Sequence, residues 1–180
     1  MNATTDRVAF LSREVIEEKA ADLRREAKVD KFPFDTIALA VRLGMTVAFT
    51  DFEDRAIVGM IHKGEEGWEI LLRESGPIQR LCFTVAHELG HYVLHLRERD
   101  AGQFVDTDIQ LYRMSEGSSS RDRVERSMEI QANMFAAALL MPEELVRSEW
   151  AIHRSVSKLA KTFGVSQLAM RYRIDQLELW

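Results

Sequence analysis

The chain has 180 residues, with 24 lysines and arginines against 29 aspartates and glutamates, so its net charge is −5. Hydrophobic residues make up 46% of the sequence, which supplies a sizeable core and excludes a wholly disordered protein. The acidic balance argues against a protein that binds DNA or RNA over a broad surface.

The start of the chain and its cysteine content predict a cytoplasmic protein with no membrane segment. Residues 1–7 are polar and no apolar stretch follows them, unlike a secretory signal. The longest apolar run, from Met134 to Met141, has eight residues and is too short to cross a bilayer. The single cysteine, Cys82, cannot form an internal disulfide, which is typical of a reducing compartment.

The first half of the chain predicts two helices and then three strands. A helix rich in Glu, Ala, Arg and Leu is expected from about Ser12 to Lys28. A shorter helix is expected from Thr36 to Leu43, because Asp35 can cap its start and Gly44 can end it. β-branched and aromatic residues predict strands over 45–52, 57–63 and 68–74, the last two joined by a turn at Gly64–Gly67.

The second half predicts long helices separated by a polar segment. One helix should begin at Pro77, a residue suited to a first helical turn, and run to about Leu96. Residues 97–120 are polar and predict a loop. A second long helix should run from about Asp122 to Met141, and two or three short helices should follow, with a break at Gly164.

This order of elements predicts an α+β fold around a small antiparallel sheet. We expect a single domain over residues 1–180. Its expected parts are an N-terminal helix in residues 1–30, a core in residues 31–142 and a C-terminal helical segment in residues 143–180.

The helix that begins at Pro77 carries the pattern His87-Glu88-Leu89-Gly90-His91. Residues four apart lie one turn apart on the same helix face, so the two imidazoles can bind one Zn²⁺. Glu88 lies beside that face and can reach a water near the metal rather than the metal itself. The rest of the helix is mostly apolar, and a line of buried titratable groups needs a partner such as a metal ion.

A catalytic zinc site needs a third protein ligand, which one straight helix cannot supply. The second long helix offers Glu129 on a face rich in alanine, where another helix can approach closely. Glu125, one turn earlier, is the alternative ligand. We expect Asn133 and His95 to support the ligands from behind, with Asn133 hydrogen-bonded to a ligand imidazole.

Two segments of the chain resemble the ImmA/IrrE family of zinc metallopeptidases. They are the run from His87 to His95 and the run from Glu129 to Pro142, and a stretch over residues 159–173 resembles that family's C-terminal helices. The resemblance implies a thermolysin-like (zincin) core with Zn²⁺ held by His87, His91 and Glu129, and Glu88 as the catalytic base. It also implies cleavage of a helix-turn-helix (XRE-type) repressor, as in the best-known members.

Residues 156–174 also have the spacing of a helix-turn-helix, with Gly164 in the turn. Gln167 is placed to contact a base edge, and four cations are placed to contact phosphates, namely Lys158, Lys161, Arg171 and Arg173. Asp175 and Glu178 follow closely and the chain is acidic, so we expect a helical hairpin packed on the core rather than direct DNA binding.

We therefore predict a cytoplasmic zinc endopeptidase that cleaves a helix-turn-helix repressor. An extended substrate can align on a strand edge in residues 57–74. The candidates for stabilising the oxyanion are Tyr112, His153, Arg171 and Tyr172. Two alternatives stay open, a regulatory protein that binds DNA or a repressor around a structural metal, and the toxin of a toxin–antitoxin pair. Glu88 favours the enzyme, because a structural metal site does not need a base.

Overall fold

The computed structural model describes residues 10–74, 76–97, 103–107 and 120–180. Its helices are α1 (Arg13–Glu26), α2 (Thr36–Arg42), α3 (Ile78–His91), α4 (Ser120–Leu140), α5 (Glu143–His153), α6 (Val156–Phe163) and α7 (Gln167–Gln176), and a π-helical turn (Tyr92–Leu96) continues α3. Its strands are β1 (Thr46–Phe49), β2 (Ile57–Lys63), β3 (Trp68–Leu72) and β4 (Gln103–Thr107). Within these ranges, no helix combines the length and the apolar character needed to cross a membrane.

The predicted helix ends are confirmed by their caps. The Ser12 hydroxyl accepts a hydrogen bond from the Val15 amide at the start of α1 (3.5 Å), and the Asp35 carboxylate accepts one from the Ala38 amide at the start of α2 (3.0 Å). Gly164 ends α6 with φ of +65°, a left-handed conformation that glycine adopts at little cost. These signals depend only on neighbouring residues, so they can be read from the sequence.

The sheet has the order β1–β3–β2–β4 and is mixed rather than purely antiparallel. β2 is antiparallel to both β3 and β4, but β1 is parallel to β3. The prediction of an antiparallel sheet is therefore wrong for β1. The turn at Gly64–Gly67 specifies only the β2–β3 hairpin, whereas the pairing of β1 with β3 is a long-range contact with no local signature.

Strand β4 lies in the segment that was expected to be a loop. It pairs with β2 from Ile57 opposite Thr107 to His62 opposite Gln103. The prediction of a loop over residues 97–120 is wrong there, because pairing with β2 overrides the polar character of the segment. Strands β2 and β3 each have a neighbour on both sides, so the edge expected in residues 57–74 is already paired. Residues 98–102 and 108–119, which include Tyr112, lie outside the described ranges.

Helix α3 contacts both the sheet and helix α4. The two helices come closest at Gly90, where an added Cβ would lie 3.0 Å from both the Cα and the carbonyl oxygen of Ala132. Small residues at a crossing let two helix backbones approach each other. Apolar side chains from the sheet and both helices form one buried core, which includes Ile61, Leu72, Val85, Leu89, Phe135 and Leu139.

Two arginines fasten α1 and α7 to the carboxyl end of α4. Arg24 donates to the Ala138 carbonyl (2.6 Å), and Arg173 donates to the Met141 carbonyl (2.9 Å). Arg173 is 1% exposed and also pairs with the Glu17 carboxylate (2.6 Å). Cations are favourable at the carbonyl end of a helix. The disfavoured alternative, in which Arg173 contacts a DNA phosphate, does not hold for this residue, because its guanidinium is enclosed by α1 and α4.

We expect Gly90→Ala to destabilise the protein. In a helix without tertiary contacts this change stabilises by about 1 kcal/mol, because alanine has the higher helix propensity. Here the new methyl group would press on the backbone of Ala132, which cannot rotate away, so we expect a net loss of about 1–3 kcal/mol in the free energy of unfolding. Urea denaturation measures the free energy of unfolding. The variant Ala151→Gly, on the exposed side of α5, measures the difference in helix propensity between alanine and glycine in this protein. A more stable Gly90→Ala variant would contradict the close crossing.

Candidate metal centre

Helix α3 brings two buried imidazoles together. His87 and His91 lie one turn apart, are 2% and 0% exposed, and have their Nε2 atoms 2.9 Å from each other. The ring centroids are 4.6 Å apart in an edge-to-face arrangement. The spacing of four residues dictates this pairing.

Helix α4 supplies a carboxylate to the same point. Glu129 places Oε2 at 3.3 Å from Nε2 of His87 and Oε1 at 3.2 Å from Nε2 of His91. Its side chain is only 13% exposed, whereas Glu125, the alternative, is exposed. Among the described residues, His87, His91 and Glu129 form a group whose ligand atoms lie within 4.8 Å of one another.

The geometry of this group fits a small metal ion. Two ligands at 2.0–2.1 Å from a tetrahedral ion are about 3.3 Å apart. The three observed separations of 2.9, 3.2 and 3.3 Å are close to that edge length. Two imidazoles and one carboxylate also leave one position of a tetrahedron for a water or a substrate.

The protonation states also suit a metal ion. Burial lowers the pKa of His91 to about 4, so its imidazole is neutral near pH 7. Burial alone would raise the pKa of Glu129, but hydrogen bonds and charge from His87 and His91 outweigh it and lower that pKa to about 2. A neutral imidazole and an ionised carboxylate are the forms that coordinate metals, so no proton must leave either group first.

Asn133 and His95 contact residues of this group or of the helix that carries Glu129. Nδ1 of His87 is 3.1 Å from Oδ1 of Asn133, so a proton on Nδ1 can be donated to that amide oxygen. This tautomer leaves the Nε2 lone pair directed at the group. Nε2 of His95 is 3.3 Å from the Met128 carbonyl oxygen, and its ring is tilted against that of His91, with the centroids 5.7 Å apart. Both contacts join α3 and its π-helical turn to α4.

Glu88 is fully buried on the side of α3 that meets the sheet. A Cβ built at Gly59 of β2 would lie 2.9 Å from Oε1 of Glu88, so the carboxylate rests against the strand backbone. The contact of Gly59 with Glu88 is not predicted by the sequence pattern. Its signal was an isolated glycine within a strand, which often marks a bulge or a close approach of another group.

Among the described residues, no contact joins the candidates for stabilising an oxyanion to His87, His91 or Glu129. His153 lies near Glu149 (3.4 Å) and Lys158 (3.1 Å), at the end of α5. Arg171 and Tyr172 are exposed on α7. No residue is therefore assigned that role.

Comparison with known proteins finds a family match, a relative in sequence and a solved structure of similar fold. The profile of the IrrE N-terminal-like domain, a peptidase family, matches residues 40–175. The radiation response metalloprotease IrrE of Deinococcus radiodurans is 30% identical over 113 residues, which cover 59% of this chain and 30% of that protein. The chain thus spans less than a third of that relative. A transcriptional regulator of Mycobacterium tuberculosis has a similar fold, with a TM-score of 0.60 and 15% identity over 94% of this chain and 48% of the other.

We expect Glu129→Gln to lose the metal and Glu125→Gln to keep it. The amide of glutamine is neutral and a poorer ligand than a carboxylate. Loss of a residue that only hydrogen-bonds to a metal ligand typically lowers metal affinity by about 10–100-fold, and we expect zinc affinity to fall by more than this. Zinc content after dialysis at buffered free zinc measures this for wild type and both variants. Loss of zinc from Glu125→Gln with retention in Glu129→Gln would reverse the assignment.

We expect the metal-free protein to lose stability as the pH falls from about 6.5 toward 4. His91 binds a proton near its ordinary pKa of 6.5 when unfolded, but only near about 4 when folded. The unfolded state therefore takes up more protons in this window, which favours unfolding. Urea denaturation with EDTA at pH 7 and pH 5 measures the change. His91→Gln should show a smaller pH dependence, and an equal dependence in both proteins would rule this origin out.

Proposed function

Since the chain belongs to the IrrE N-terminal-like domain family of peptidases, we propose that it is a zinc-dependent endopeptidase with His87, His91 and Glu129 as its metal ligands. The family implies a metallopeptidase. The observation that carries the proposal is the convergence of two buried imidazoles and one carboxylate from two helices. A set of two histidines and one glutamate is a known catalytic zinc arrangement.

Zinc is the metal that this donor set suits best, because it accepts imidazole and carboxylate in tetrahedral geometry. A bound Zn²⁺ would polarise the scissile carbonyl and lower the pKa of the attacking water toward about 7. The ionised Glu129 offsets part of the ion's charge, and Asn133 holds the ring of His87 in the binding tautomer.

Glu88 is the general base in this proposal. It is next to His87 in the chain, and its carboxylate faces the sheet rather than completing the ligand group. Its carboxylate accepts a proton from the attacking water and then delivers that proton to the leaving amine. A carboxylate with 0% exposure is shielded from bulk water, which strengthens its electrostatic interactions with groups in the site.

We further propose a thermolysin-like core with a substrate site along β4. Helix α3, which carries Glu88, contacts β2, β3 and β4. β4 is an edge strand of the four-stranded sheet, so its outer side can pair with an extended peptide.

We also propose that residues 1–180 form one domain. Helix α1 packs on α4, and the side chain of Gln131 on α4 accepts a hydrogen bond from the Leu11 amide (3.2 Å).

The proposed substrate is a helix-turn-helix repressor in the cytoplasm. A folded DNA-binding protein offers an extended segment at its ends or linkers, which an edge strand can bind by main-chain hydrogen bonds. The alternatives are a regulatory protein that only binds its partner and a toxin that a partner neutralises. Cleavage of the partner distinguishes the endopeptidase from both alternatives, because neither alternative requires hydrolysis of that partner.

We expect Glu88→Gln to retain zinc and lose hydrolysis. The substitution keeps the size of the side chain and removes only the proton acceptor, so the rate should fall by about 10²–10⁴-fold. The assay incubates zinc-loaded protein with a pool of internally quenched decapeptides and with any helix-turn-helix repressor that a neighbouring reading frame encodes, and mass spectrometry identifies the products. Glu125→Gln is the matched control and should cleave like wild type.

Two outcomes would contradict the peptidase. In one, Glu88→Gln cleaves the repressor at the wild-type rate. In the other, wild type binds the repressor without cutting either it or a pool of internally quenched decapeptides. The second outcome would favour the regulatory binding protein.

A further inference from the structure

Glycine at position 59 lets strand β2 lie directly against the Glu88 carboxylate. Gly59 is buried, and a Cβ built there would lie 2.6 Å from Cγ2 of Thr84 and 2.9 Å from Oε1 of Glu88. Contacts this short are well inside the optimal separation of non-bonded atoms. Any other residue at position 59 must therefore displace one of the two side chains, or the strand itself.

A bulge in β2 precedes this contact. In the pairing of β2 with β4, Ile57 lies opposite Thr107 and Gly59 lies opposite Asp106, so Val58 is an extra residue. An extra residue bends and twists a strand, and such bulges are common beside active sites. Gly59 follows the bulge directly, where the backbone meets two residues that are one turn apart on α3.

Arg73, which directly follows β3, is hydrogen-bonded to the bulged part of β2. The Arg73 amide donates to the Val58 carbonyl (3.0 Å), and the Arg73 guanidinium donates to the Ile57 carbonyl (2.9 Å). The same guanidinium donates to the carbonyls of Phe52 and Asp54, both at 2.9 Å. These hydrogen bonds, together with the pairing of β2 with β3 and β4, restrict movement of the strand away from α3.

The Glu88 carboxylate is the group that can yield to a new side chain. Thr84 is buried on a helix, where threonine occupies two χ1 rotamers, and a change of its rotamer would leave the short contact to Glu88 in place. The carboxylate of Glu88 lies at the end of a longer side chain with more rotatable bonds. The three atoms nearest to a Cβ at position 59 belong to Thr84 and Glu88, and none belongs to His87, His91 or Glu129.

We propose that Gly59 is a positioning residue for the general base, and this inference rests on the proposed role of Glu88. The absent side chain leaves the space in which the carboxylate lies. A base must be held within about 0.5 Å of its productive position, and a displacement of about 1 Å can lower the rate about 10²-fold. A methyl group at position 59 thus acts on the rate through Glu88 and leaves the metal ligands in place.

The test compares four zinc-loaded proteins, Gly59→Ala, Glu88→Gln, the double variant and the control Gly64→Ala. Gly64 is the matched glycine on the same hairpin, where the three atoms nearest to a Cβ all belong to the side chain of Glu69, which can move. We expect full zinc content in all four. For Gly59→Ala we expect kcat to fall about 10–10²-fold on the quenched decapeptide pool, with KM nearly unchanged. In the Glu88→Gln background, Gly59→Ala should lower the rate no further. If the effect of Gly59→Ala were purely structural, the double variant would lose rate by the product of the two single losses.

Crystal structures of the zinc-loaded proteins supply a readout besides activity. In Gly59→Ala, the Glu88 carboxylate should move by more than about 0.5 Å while the three ligand side chains stay in place. If this variant folds poorly, Gly59→Ala with Thr84→Ser removes the shortest contact and leaves only the one to Glu88.

An unmoved carboxylate, or additive losses in the double variant, would overturn the role of Gly59 and leave the proposed peptidase intact. Absence of hydrolysis by wild type would overturn the peptidase, and the position of the carboxylate in the crystals would still decide whether Gly59 sets it.

Discussion

Two histidines on one helix could supply only part of the coordination shell of a metal ion, and the carboxylate of Glu129 reaches them because α4 crosses α3 at the distance that Gly90 and Ala132 permit. The backbone atoms of Ala132 would lie 3.0 Å from any Cβ at position 90. Glu129 is three residues before Ala132 on the same helix, so the crossing sets where its carboxylate meets the imidazoles. A wider crossing would separate the ligand atoms that now lie within 4.8 Å of one another.

The crossing is maintained by groups outside the site. His95 bonds the Met128 carbonyl, and Asn133 meets His87, so both ends of the ligand group are joined across the two helices. At the carboxyl end of α4, Arg24 of α1 donates to the Ala138 carbonyl and Arg173 of α7 donates to the Met141 carbonyl. Arg173 also pairs with Glu17 of α1. Helix α1 lies outside residues 40–175, which match the family, yet it packs on the helix that carries Glu129. The position of Glu129 thus depends on both ends of the described chain.

Most helices, and the convergence of His87, His91 and Glu129, could be predicted because their signals are local or periodic. The spacing of His87 and His91 fixes their shared face, and the alanine-rich surroundings of Glu129 distinguished it from Glu125, which is exposed in the structure. The sheet was harder, since the parallel pairing of β1 and the existence of β4 depend on contacts between distant segments. The burial of Arg173 could not be predicted for the same reason, because nothing near it in the sequence reveals Glu17 or the Met141 carbonyl. Gly59 was missed because its role depends on what α3 places above it.

The central claim is that one metal ion is shared between α3 and α4, and an anomalous-scattering map of zinc-loaded crystals tests it most directly. We expect a single strong zinc peak per chain, about 2.0–2.2 Å from Nε2 of His87, Nε2 of His91 and a carboxylate oxygen of Glu129. A peak bound by Glu125 or His95 in place of Glu129, or no peak between the two helices, would contradict it.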